Sequence, residues 1–141
     1  MGSAHILLPL FALISPFFIW PIEQLLPYPY LVEEMVKLGF VLTVLVLPSK
    51  TTQLKLLITV TLLFTLSETV FYLINFYQNQ SATGVILLRL ALTYGLHLVT
   101  VLLMWSLANW NRYLLPLGLI LAVLIHYFYN LFSGVLLGYP T

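Results

Sequence analysis

Seven ionisable residues of this chain fall inside apolar runs long enough to cross a bilayer, where a charge costs roughly 3 kcal/mol or more. They are Glu33, Glu34, Lys37, Glu68, Arg89, His97 and His126, from only twelve Asp, Glu, Lys, Arg and His residues in all, none of them Asp. A fold that keeps such groups must turn them inward and pair them, which is why they mark functional sites by default. Of the 141 residues, 62% are hydrophobic and 6% charged, so the expected fold is an all-α polytopic membrane protein.

A helical span needs about 20 mostly apolar residues. Five runs qualify, at roughly 5–20, 30–47, 54–78, 84–108 and 113–137, and together they make residues 1–141 a single membrane domain. The breaks at 21–29, 48–53, 78–83 and 109–112 are polar or Pro-rich. Pro9 and Pro16 should bend the first run, and Pro116 sits where a helix start tolerates it. Met1–His5 has no basic stretch or cleavage site of a removable signal peptide, and Asn79-Gln80-Ser81 is a glycosylation acceptor discounted for lying so close to the membrane.

Lys50 and Arg112 fall in, and Lys55 at the edge of, two connections that share one side of a five-span chain, and the opposite connections contain no Lys or Arg. Cations mark the cytoplasmic side, which places the N-terminus inside and the C-terminus outside a cell membrane. These three, with Glu23 and His5, read as interfacial. A net charge of +1 excludes a nucleic-acid partner, and the absence of Cys excludes thiol nucleophiles and thiolate metal sites. At a rise of about 1.5 Å per residue, Glu33, Glu34, Glu68, His126 and Asn130 share the outer half of the bilayer, with His97 near the midplane. One polar pocket opening outward is the expectation.

The spacings make chemical sense. Glu33-Glu34-x-x-Lys37 puts the ammonium within a helical turn of both carboxylates, and His126-x-x-x-Asn130 lies on one helix face. Phe64-x-x-x-Glu68 and Arg89-x7-His97-x-x-Thr100 complete the set. In that order on four consecutive runs, over residues 31–132, these motifs closely resemble the PrsW family of intramembrane proteases, relatives of the CAAX prenyl endopeptidases and Abi-type proteins.

The resemblance implies an endopeptidase that hydrolyses a peptide bond of a membrane-anchored protein with a Glu-activated water. It implies Glu33, Glu34, Glu68, His97, His126 and Asn130 as catalytic groups, with Lys37, Arg89, Thr100 and Phe64 in support and no cofactor. The residues suit that work: a carboxylate can act as base, and His126 and Asn130 can donate to an oxyanion. Zinc held by Glu33, Glu68, His97 and His126 is the chemical alternative, opposed by the cations beside it. Ser133 lacks both a nucleophile elbow and an Asp to orient a His. A non-catalytic scaffold and a proton carrier are the rival classes, although a carrier should be polar towards both faces and the inner half here is apolar.

Overall fold

A computed structural model describes residues 4–79 and 83–137. Met1–Ser3 and the Gln80 and Ser81 of the glycosylation motif lie outside the described residues. Five α-helices follow in chain order: α1 (Ala4–Glu23), α2 (Pro29–Leu45), α3 (Lys50–Asn79), α4 (Thr83–Trp110) and α5 (Leu115–Leu137). Four contain stretches long and apolar enough to cross a membrane, at His5–Glu23, Lys50–Phe71, Leu87–Trp110 and Arg112–Ser133.

Helix α2 is the exception. Its 17 residues span only about 25 Å at the usual helical rise, short of a hydrocarbon core of about 30 Å. It also carries Glu33, Glu34 and Lys37. The packing explains how such a segment is tolerated. Helices α1, α3, α4 and α5 pack each on the next in that order, and α2 touches all four. The most charged helix is thereby the most enclosed, and its charges face protein rather than lipid.

Local chemistry sets the boundaries. Pro29 stands in the first turn of α2, where its missing N–H costs nothing. The Ser49 hydroxyl accepts from the Thr52 amide at 3.3 Å and starts α3 at Lys50. The sequence alone suggested a later start, leaving Gln53 in a connection. Gln53 instead lies in α3, buried, donating to the Leu47 carbonyl at 2.6 Å and accepting from the Trp105 indole at 2.8 Å. Asn111 accepts from the Tyr113 amide at 3.0 Å and opens a 3-10 turn, Arg112–Leu114, that leads into α5. Pro9, Pro16 and Pro21 are all carried inside α1. Lys50, Lys55, Arg112 and His5 are exposed, as interfacial residues should be.

Each helix buries a stripe that is apolar along most of its length and polar at one end. On α2 the stripe runs Glu33, Glu34, Lys37, Phe40, Val41, Val44, and on α3 it includes Leu57, Val60, Phe64 and Thr65. On α5 the stripe steps by four through Gly118, Ala122 and His126 to Asn130. The small residues let α5 lie close against α4: a Cβ on Gly118 would stand 3.1 Å from the Met104 Cα. That approach brings the His126 ring to 5.6 Å from the His97 ring, centroid to centroid.

Gly118→Val should therefore destabilise the bundle by about 1–3 kcal/mol through overpacking against backbone. Gly39, where an added Cβ meets nothing within 4 Å, supplies the control, and Gly39→Ala should be neutral or mildly stabilising. Unfolding in mixed micelles, titrated with denaturing detergent, measures both.

Candidate active site

At the polar end of the stripes, α2 to α5 each contribute to one cluster. Glu34, fully buried, lies at its back. Its Oε1 accepts from the Lys37 ammonium at 2.6 Å and is 2.8 Å from His126 Nδ1. The ammonium is itself buried and has to be matched by an ionised carboxylate, which can only accept. The proton in the Glu34–His126 bond therefore sits on Nδ1, so the neutral form of this ring has its lone pair at Nε2.

His97 is fixed in the same sense by a different device. The Thr65 hydroxyl lies 2.9 Å from the Thr61 carbonyl and 3.1 Å from His97 Nδ1. A hydroxyl has one proton, and a carbonyl can only accept. Thr65 therefore donates to Thr61 and accepts from an Nδ1–H of His97, so this ring also turns a lone pair outward at Nε2. Phe64 packs edge-on against His97 at 5.5 Å between centroids and carries the Lys37 ammonium over its face at 5.8 Å.

The two Nε2 atoms converge on Glu33. Its Oε2 is 3.5 Å from His97 Nε2 and 3.8 Å from His126 Nε2. Glu68 Oε2 is also 3.5 Å from His97 Nε2, so the two carboxylate oxygens lie no further apart than twice that distance. These separations exceed a direct hydrogen bond and suit one small bridging group. Glu33 Oε2 and His97 Nε2 are buried and make no hydrogen bond among the described residues. Glu33, His97 and His126 form a group whose ligand atoms all lie within 4.8 Å of one another.

Glu33, Glu68 and Asn130 line a cleft of about 250 Å³ at the α1–α2 end of the bundle, with Trp20, Glu23 and Phe71. This is the far end of α2 from the connection that leads to Lys50. The expected cluster of Glu33, Glu34, Glu68, His97, His126 and Asn130 is thus one constellation, and Lys37 and Phe64 touch it directly.

Two further expected members lie on α4 with His97. The Thr100 hydroxyl donates to the His97 carbonyl at 3.2 Å, a bond within α4. Arg89 is half-buried one turn before Thr93, whose hydroxyl is 2.9 Å from that of Tyr129. As the Nδ1–H tautomer, His126 offers an acceptor at Nε2, so its expected part as an oxyanion donor needs a second ring proton. Ser133 donates to the Asn130 carbonyl at 3.2 Å.

Sequence reasoning overlooked Thr65, although it lies one turn before Glu68 on α3 and shares its face. It read Glu23 as interfacial, and the structure adds that this carboxylate lines the cleft. Comparison with protein-family models, curated proteins and solved structures finds no match to this chain.

Lys37→Met should destabilise the protein by about 3–5 kcal/mol, because it strands the Glu34 carboxylate without its counter-charge. Adding Glu34→Gln should restore part of that loss, since a neutral amide needs no cation. The same detergent-titration measurement on the two single variants and the double variant reads the coupling.

Proposed function

We propose that this protein is an intramembrane endopeptidase that hydrolyses a peptide bond of a membrane-anchored protein, with Glu33 as the base that activates water. The observation that carries the reading is the convergence of Glu33 Oε2 with two imidazole Nε2 atoms at the edge of a cleft. The ordered motifs that resemble the PrsW family support the same chemistry.

Glu33 is the better base of the adjacent pair. Glu34 Oε1 is committed to Lys37 and His126, while Glu33, which lines the cleft, has an Oε2 with no hydrogen bond among the described residues. A water beside Glu33 would donate one proton towards that carboxylate and the other towards a His Nε2, keeping an oxygen lone pair for the scissile carbonyl carbon. As the C–O bond forms, Glu33 takes a proton and later delivers it to the leaving nitrogen when the C–N bond breaks. The Asn130 amide donates to the oxyanion. His126, once protonated at Nε2 and balanced by Glu34, donates as well.

A second reading has its own support. Tetrahedral zinc with nitrogen and oxygen ligands at about 2.0–2.2 Å holds those atoms about 3.4 Å apart, near the separations of Glu33 from His97 and His126. A His ligand with its other ring nitrogen hydrogen-bonded is the usual arrangement at such centres. The Lys37 charge that opposes a dication is already matched by Glu34.

Transport fits less well. Towards the other end of the bundle the site rests on Phe40, Val41, Val44, Leu57, Val60, Val101 and Met104, all buried and apolar. The positions of Lys50, Lys55 and Arg112 favour a cytoplasmic N-terminus and a cleft opening on the outer side of a cell membrane.

The test is hydrolysis by the purified protein in lipid nanodiscs, with a membrane proteome as substrate. Glu33→Gln should lower turnover by about 10² or more while leaving the fold intact. Undiminished function of the Glu33→Gln, Glu34→Gln double variant would favour a scaffold instead. Chelators should have no effect; loss of turnover that zinc restores would select the second reading.

A further inference from the structure

The cleft contains a carboxylate that the hydrolytic chemistry does not use. Glu23 lines it beside Glu33 and Glu68, and its Oε1 is buried without a hydrogen bond among the described residues. Glu23 is also the last residue of α1, where the helix dipole disfavours negative charge, and no basic residue stands in that last turn. Two independent costs are therefore accepted at one position.

Three carboxylates, Glu23, Glu33 and Glu68, stand among the described residues that line the cleft. One of them, Glu33, is only 8% exposed and has an unpartnered oxygen. The remaining wall is aromatic. Trp20 and Phe71 stack with centroids 5.4 Å apart and planes within 6° of parallel, and both border the cleft. Carboxylates beside aromatic rings are the combination that binds an organic cation, the first by charge-assisted hydrogen bonds and the second through the ring quadrupole.

We infer that Glu23, with the Trp20–Phe71 wall, forms a subsite for a positively charged side chain of the substrate. The cleft then selects membrane-anchored proteins with a Lys or Arg just beyond the apolar segment, beside the bond to be cleaved. This specificity rests on the hydrolase reading, whereas binding of the cation does not. The subsite lies at the end of α1 and the start of α2, where a bound span would emerge from the apolar layer. A basic residue there leaves the bilayer core at no cost of its own.

Two synthetic single-span peptides test the inference, identical except for one Lys or one norleucine immediately after the apolar stretch. Binding to the full chain in nanodiscs is followed by tryptophan fluorescence. The Lys peptide should bind about tenfold more tightly, the Glu23→Gln variant should lose that preference, and Glu23→Asp should keep most of it. Where cleavage is measurable, Glu23→Gln should raise KM for the Lys peptide with kcat little changed. Equal affinity for the two peptides, or a preference that survives Glu23→Gln, overturns the subsite. Binding with the expected preference but no cleavage would instead count against the hydrolase reading alone.

Discussion

A single buried oxygen, Oε1 of Glu34, holds the site in register. It balances the Lys37 ammonium within α2 and takes the Nδ1 proton of His126 from α5. Take away the ammonium and the carboxylate becomes an uncompensated buried charge; take away the carboxylate and the ammonium is stranded among Phe64 and its neighbours. Because α2 is too short and too charged to face lipid, this pairing also decides where α2 lies: in the middle, touched by the other four helices. The enclosure of α2 and the orientation of His126 share one cause.

His97 is oriented by a neutral group rather than a charged one. Thr65 spends its only proton on the Thr61 carbonyl and is left able only to accept from His97. A carboxylate lies behind one imidazole and a hydroxyl behind the other. Glu34 places a carboxylate beside His126, while Thr65 gives His97 no charged neighbour at Nδ1. In the proposed chemistry that difference separates the roles: His126 is the ring able to hold an extra proton, and His97 keeps a lone pair beside Glu33 and Glu68.

Much of this was legible in the sequence, because ionisable residues are few in the spans. Glu33, Glu34, Lys37, Glu68, His97 and His126 stand out against Leu, Val and Phe, and helical rise alone brings them near one depth. The limits of the helices were harder to see. Gln53 reads as part of a polar connection until the Ser49 cap and the bonds to Leu47 and Trp105 draw it into α3. Glu33 and Glu34 could not be told apart, since Lys37 lies within one turn of both and the choice depends on how α2 is rotated against α5. Thr65 gave no signal of its own, for hydroxyls are common in membrane helices and most bond to their own backbone, as Thr43 and Thr59 do here. Glu23 reads as interfacial from its place at a span end, and that position gave no sign that it also lines the cleft.

The central claim is that both imidazoles carry their neutral-state proton on Nδ1 and present Nε2 lone pairs to Glu33. Nitrogen-15 magnetic resonance of histidine-labelled protein reads the tautomer directly, with His97→Gln and His126→Gln assigning the signals and His5→Gln removing the exposed third ring. The account predicts the Nδ1–H form for His97 and His126, with Thr65→Val releasing His97 alone from that form. An Nε2–H tautomer at either ring of the unsubstituted protein would contradict it.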